Sequence, residues 1–262
     1  MRSHIGRLPV EVTRPETAKF RHPILFLHGL WTGGWIWGRL ASYLAQRGWE
    51  SWAPSLLEGA PPQSFAAAVA DVEHVVRRLP ASPIVVAHDT GVVMGTSHAA
   101  RWGAPALVVI APVVSACGPG LGSDLLAWRS FWRVRVWGTL VRPPRGRAAA
   151  AFLGDAGAVY RDQLTPDSGP TFRALARRRL GLPDALGCPG LVLSGEHDQV
   201  SPVRIGAELA RRYGWAQRVY PGREHFPMLE RGWDEVAAAI HRWIVQTLGT
   251  ALLALVDEDE QP

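Results

Sequence analysis

Two carboxylates and an imidazole stand in three short segments of this sequence, each just beyond an apolar run. The first segment is Ala87-His88-Asp89-Thr90-Gly91, which follows Ile84-Val85-Val86 and runs straight into helical text. Small residues at both ends of that pentad let a buried strand turn at once into a helix, and the turn displays Asp89 at the helix start. The second, Ser194-Gly195-Glu196-His197-Asp198, offers an acid in a turn past a strand end, and the third, Pro221-Gly222-Arg223-Glu224-His225-Phe226, offers a histidine before the final helix. Each has a plainer role if taken singly. Asp89 and Asp198 are the residue type that caps helices, and His225 can be an ordinary loop histidine. Together they form a nucleophile, an orienting acid and a base, the set required for covalent catalysis, with Asp89, Asp198 and His225 as the catalytic residues. His197 competes for the acid's place, but an imidazole accepts a histidine N–H less firmly than a carboxylate does.

A fourth segment, His28-Gly29-Leu30-Trp31-Thr32-Gly33-Gly34, follows the first apolar strand. A glycine-rich turn there lets backbone N–H groups face a developing oxyanion. Leu30 or Trp31, with Thr90 beside the nucleophile, are the expected donors. The other reading is a plain strand-to-helix loop. His28, Trp31, Trp128, Trp132 and Tyr160 are the candidates for substrate contact.

These segments need a scaffold. Apolar runs at Pro23 to Leu27, Trp49 to Ala53, Pro83 to Ala87, Ala106 to Ala111, Gly190 to Ser194 and Arg218 to Tyr220 read as strands, the more apolar of them buried on both faces. Helix-length amphipathic segments lie between them, at Trp35 to Arg47, Ser64 to Leu79, Val92 to Trp102, Pro202 to Tyr213 and Trp233 to Leu248. The alternation predicts an α/β fold, a mostly parallel sheet flanked by helices. It fails between Pro112 and Pro189, where no clear strand is visible. A helical cap inserted after the strand ending near Ala111 is expected there, with residues 1–116 and 186–262 as core and 117–185 as cap.

The chain has 262 residues, enough for one large domain, and its 47% hydrophobic and 19% charged content fits a globular protein. A net charge of +5 comes from scattered arginines and the single Lys19. The densest basic stretch, from Arg129 to Arg147, is interleaved with Trp128, Trp132 and Trp137 and reads as a solvated lid surface rather than a nucleic-acid face. Cys117 and Cys188 read as ordinary small residues of a reduced protein. Met1 to Val10 lacks the apolar stretch of a secretory signal, which points to the cytoplasm. The apolar stretch Thr247 to Val256 falls well short of the roughly 20 residues of a membrane span. No spacing of metal ligands and no cofactor-binding loop is visible, so the expected partner is a small-molecule substrate, without nucleic acid, membrane, metal or cofactor.

From the His28-Gly29 turn to the final helix the sequence resembles the α/β-hydrolase superfamily, whose nucleophile, acid and histidine follow in this chain order. The stretch Glu224 to Glu230 and the Trp31 to Trp37 loop look like those of lysophospholipase- or esterase-type members, which carry serine at the bend. The His88-Asp89 pair is instead similar to epoxide hydrolases and haloalkane dehalogenases, where aspartate is the nucleophile. The chain departs from both. Trp31 stands where epoxide hydrolases have proline, the cap offers Tyr160 where they present two tyrosines, and Thr90 stands where dehalogenases have a halide-binding tryptophan.

A carboxylate attacking an ester gives a high-energy anhydride. Attack on a tetrahedral carbon bearing an epoxide oxygen or a halide gives an ordinary alkyl ester, which water can cleave. Epoxide hydrolysis to a diol is therefore the leading expectation. The alternatives are a haloalkane or haloacid dehalogenase, an esterase-like scaffold with Asp89 in place of serine, and a non-catalytic small-molecule binding module.

Overall fold

The computed structural model describes residues 2–6, 8–56, 64–114, 140–176 and 181–253. Three four- to five-residue strands, β3 (Ile24–Leu27), β5 (Ile84–His88) and β6 (Leu107–Ile110), are buried at every position. That is the signature of strands covered on both faces, and each Val, Leu or Ile so buried contributes about 1.5–3 kcal/mol. With β1 (Arg2–Ile5), β2 (Leu8–Thr13), β4 (Ser51–Pro54), β9 (Gly190–Gly195) and β10 (Ala216–Tyr220) they form one sheet in the order β1-β2-β4-β3-β5-β6-β9-β10. The pairs from β4 to β10 are parallel, and β1–β2 and β2–β4 are antiparallel.

Helices fill the crossovers: α1 (Gly38–Ala45), α2 (Phe65–Val76), α3 (Gly91–Trp102), and later α7 (Val203–Tyr213) and α8 (Trp233–Leu248). Local chemistry sets their ends. Ser64 Oγ accepts the Ala67 N–H at 3.2 Å to cap α2, and Gly214 stops α7 in the left-handed conformation at φ 67°. This is the mostly parallel, helix-flanked sheet expected.

The hairpin β1–β2 was not legible as strands. Its apolar positions Val10 and Val12 alternate with Pro9 and Glu11, so it lacks the continuous apolar run that marks the central strands. Sheet position explains the difference, since β1–β2 is the antiparallel margin.

Between β6 and β9 the chain leaves the sheet. The described part of this inserted segment holds a two-stranded ribbon, β7 (Leu140–Val141) with β8 (Asp167–Ser168), where no strand was expected. It also holds the short helices α4 (Arg147–Leu153), α5 (Gly157–Tyr160) and α6 (Gly169–Ala176). Cys117, Trp128, Trp132, Trp137 and, of the basic stretch, Arg129, Arg133 and Arg135 lie outside the described residues. Among the described residues no helix is long and apolar enough to cross a membrane.

Candidate active site

The carboxyl ends of β3, β5, β9 and β10 deliver the four segments to one edge of the sheet. At the end of β5, Asp89 adopts φ 53°, a conformation that a non-glycine residue holds at a cost of about 1–3 kcal/mol where the surroundings enforce it. They do so here. The Asp89 N–H donates to the Ile110 carbonyl at 3.2 Å, and its own carbonyl accepts from Val92 at 3.3 Å and Val113 at 3.2 Å. Gly91 lets α3 start against β3, because a Cβ there would stand 2.5 Å from the Leu27 carbonyl oxygen.

His225 joins the two carboxylates. Its Nδ1 lies 2.9 Å from Asp198 Oδ2 and its Nε2 lies 3.1 Å from Asp89 Oδ2, and all three side chains are buried. The other oxygen of Asp198, Oδ1, accepts the N–H groups of Val200 and Ser201 at 2.8 Å each, so the acid fixes its own turn as well as the imidazole. Asp198 thus stabilises the turn before α7 with one oxygen and orients the imidazole with the other, and the N-terminus of α7 has no side-chain cap.

Burial alone would push the His225 pKa down, but the charges and hydrogen bonds of Asp198 and Asp89 outweigh it and hold the imidazole at about 10. Asp89 is also penalised by burial, and the hydrogen bond and charge of His225 bring it below the usual carboxylate range. The resting site is therefore an imidazolium between two carboxylates.

The second oxygen of Asp89, Oδ1, accepts the adjacent Thr90 N–H and, at 3.5 Å, the Leu30 N–H. Two of the three expected oxyanion donors thus converge on one atom. The third is a correction: the Trp31 N–H donates to Asp167 Oδ2 at 2.8 Å and is not directed at Asp89. Trp31, at φ 57°, is instead an anchor for the inserted segment. Its indole Nε1 donates to the Val141 carbonyl at 3.1 Å, and its carbonyl accepts the Thr165 N–H at 3.0 Å.

The other candidates divide. His28 lines a narrow cavity beside Asp89, bounded also by Leu30, Thr90, Met94, Asp167 and Thr171. Both its ring nitrogens serve the loop, Nδ1 donating to the Gly29 carbonyl and Nε2 accepting the Leu56 N–H, each at 2.9 Å. Tyr160 does not line that cavity; it stacks on Trp35 at 5.5 Å, beneath the Arg39 guanidinium. The substrate contact expected of Tyr160 is therefore not found at this cavity, because stacking on Trp35 holds the ring elsewhere. Trp128 and Trp132 lie outside the described residues.

Three supporting residues escaped the sequence reading. His88 donates its Nε2–H to the His225 carbonyl at 2.9 Å, and burial followed by the His225 charge lowers its pKa to about 3, so it stays neutral. Glu230 accepts the N–H groups of Phe226 at 3.2 Å and Glu224 at 3.1 Å, closing the loop that carries His225. Asp167 sits in a Pro-Asp-Ser-Gly-Pro run that reads as a turn, and nothing local signals its burial. Among the described residues no group of three or more His, Cys, Asp or Glu could hold a metal ion.

The comparisons with known proteins agree with this geometry at the level of fold. The family model described as "Alpha/beta hydrolase family" matches residues 24–239. No curated protein sequence matches the chain. Among solved structures, it is similar to a monoacylglycerol lipase from Paleococcus ferrophilus at TM-score 0.72 and 18% identity, covering 92% of this chain and 99% of that one. A thermophilic esterase from Thermogutta terrifontis superposes at TM-score 0.68 and 19% identity, covering 92% and 93%. A protein titled a putative non-heme bromoperoxidase, from Mycobacterium tuberculosis, superposes at 0.72 and 16%, covering 92% and 96%.

Proposed function

This chain belongs to the alpha/beta hydrolase family, and from that footing we propose that it is a hydrolase working through an alkyl ester on Asp89, with an epoxide as substrate and a diol as product. The observation that carries this reading is the split use of one carboxylate. Oδ1 faces the N–H groups of Leu30 and Thr90, while Oδ2 faces His225 Nε2.

Oδ2 attacks a ring carbon, the carbon–oxygen bond breaks, and Asp89 becomes a neutral ester. One of the two anions that held a proton on His225 is then gone. The imidazolium releases that proton, which balances the one gained by the oxygen freed from the ring, and neutral His225, still oriented by Asp198, takes one from water. The water attacks the ester carbon, charge collects on Oδ1 against the two N–H groups, and collapse returns the diol with a water oxygen left in Asp89.

The inserted segment acts as a cap in this scheme. Asp89 and His225 are fully buried, so substrate enters by displacing part of the cover, and closure excludes water.

A halide leaving group has weaker support. Thr90 follows the nucleophile, and the indole N–H of Trp31 is committed to the Val141 carbonyl. Ester cleavage is disfavoured by the anhydride it requires.

A single turnover on 1,2-epoxyhexane in heavy-oxygen water tests the reading, with mass spectrometry of the peptide containing position 89. Label in Asp89 is expected, and label found only in the diol rules the scheme out. Halide released from 1-bromohexane in place of epoxide opening favours the dehalogenase. Cleavage of p-nitrophenyl acetate gained by Asp89→Ser favours the esterase-like scaffold, and thermal stabilisation by these compounds without turnover favours a binding module.

A further inference from the structure

Opening an epoxide leaves an oxygen that needs a proton, and the structure holds a second carboxyl group where that proton would be delivered. We propose that Asp167 is the acid that protonates the oxygen leaving the ring carbon, an inference that rests on the aspartyl-ester reading above. Neighbouring peptide units of a single turn serve the two acids. The Leu30 N–H donates to Asp89 at 3.5 Å and the Trp31 N–H donates to Asp167 at 2.8 Å. Consecutive Cα atoms are about 3.8 Å apart, so one short turn holds both acids, and the charge of Asp89 is felt at Asp167.

Asp167 is 2% exposed and lines that cavity together with Leu30 and Thr90. It arrives from β8, paired with β7 through Val141, and Val141 itself accepts the Trp31 indole N–H. The ribbon thus fixes the acid against the turn that supplies the oxyanion donor. Oδ2 accepts from Trp31 and Oδ1 from Ser168, at 2.8 and 2.6 Å, and each oxygen keeps a second lone-pair position for a proton.

Burial chiefly, with the charge of Asp89 adding to it, raises the Asp167 carboxyl to about 6 against the pull of its two N–H donors. A value near neutrality suits a group that must give a proton and regain it.

The balance closes. As Asp89 Oδ2 bonds to carbon and the carbon–oxygen bond breaks, the electron pair goes to oxygen and the Asp167 proton follows it. The imidazolium of His225, no longer facing an anion at Asp89, releases its proton to water, and Asp167 regains one from water. Neutral His225 takes a proton from water during attack on the ester and passes it to the departing diol oxygen. The proton of the regenerated Asp89 acid then moves to His225. One epoxide and one water give one diol.

The test uses Asp167→Asn, which keeps a carbonyl oxygen for the Trp31 N–H and lacks the proton. Rapid mixing with 1,2-epoxyhexane and quenched mass spectrometry follow two steps separately, formation of the Asp89 adduct and its hydrolysis. The expected result is adduct formation slowed by about 100-fold or more, with hydrolysis of the adduct close to wild type. Adduct formation at the wild-type rate overturns the proposal, and so does an equal loss in both steps, which marks a structural role. Absence of any adduct in the wild-type protein overturns the aspartyl-ester reading, and this inference falls with it. Asp167→Ser, likewise without an acid proton, is read in the same way where the amide variant does not fold.

Discussion

Gly29 lies so close to Asp89 that a methyl group on its Cα would stand 2.2 Å from the aspartate Cβ. The turn that carries the Leu30 N–H and the bend that displays the candidate nucleophile are therefore in direct contact, and only a hydrogen fits between them. Gly29→Ala must push one away from the other. Overpacking of about 1–3 kcal/mol corresponds to a Tm lower by roughly 2–10 °C in a domain of this size. Displacing reacting groups by about 1 Å costs near 100-fold in rate. Thermal melts and adduct formation with 1,2-epoxyhexane check both effects, and a variant with wild-type melting and rate contradicts the close approach.

Asp198→Asn should separate the two steps. The amide oxygen can still accept from Val200 and Ser201, so the turn survives, but an amide N–H set against His225 Nδ1 stabilises the wrong tautomer. Hydrolysis of the Asp89 ester, which needs His225 as base, should fall by about 100- to 10,000-fold, and adduct should accumulate. Turnover without accumulation in this variant contradicts His225 as the hydrolytic base.

The imidazolium also makes a prediction about stability. The His225 pKa is raised to about 10 by Asp198 and Asp89 against the opposing effect of burial, while an unfolded histidine titrates near 6.5. Its contribution is fully present below pH 6.5 and is lost as pH rises toward about 10, because over that interval the native state binds more protons than the unfolded one. Chemical denaturation from pH 6 to 10 should show this decline, and His225→Gln should remove that part of it. A decline of the same size in both proteins assigns it to other groups.

Glu230→Ala should act through His225. Two N–H groups of the loop, on Glu224 and Phe226, lose their acceptor, at about 1–3 kcal/mol for each one left buried. The expected outcome is a lower Tm with a larger loss in hydrolysis of the Asp89 ester than in its formation. Wild-type values for both steps remove Glu230 from a positioning role.

The sequence carried the central strands and the three charged segments because burial and tight turning each restrict residue type locally. The fully apolar run Ile84 to Ala87 and the small residues around Asp89 are examples. The margin β1–β2 was hidden because one antiparallel face is mixed in polarity. Asp167 was hidden for a stronger reason: its burial and its bond to Trp31, more than a hundred residues away, arise only in the fold, and a carboxylate in a Pro- and Gly-rich run looks like a turn residue until its neighbours are known. Trp31 misled in the same way. Its place in a glycine-rich loop announces a backbone donor, but the recipient of that N–H is decided by a ribbon that pairs across the inserted segment.

The three hydrogen bonds linking Trp31 to Val141, Thr165 and Asp167 tie the roof to the residue next to Leu30. Lifting that roof pulls on the residue next to the Leu30 N–H, the group proposed to steady the charge on Oδ1. On the proposed scheme an open pocket is thereby an inert one, and the catalyst comes into being only once its guest has been sealed in.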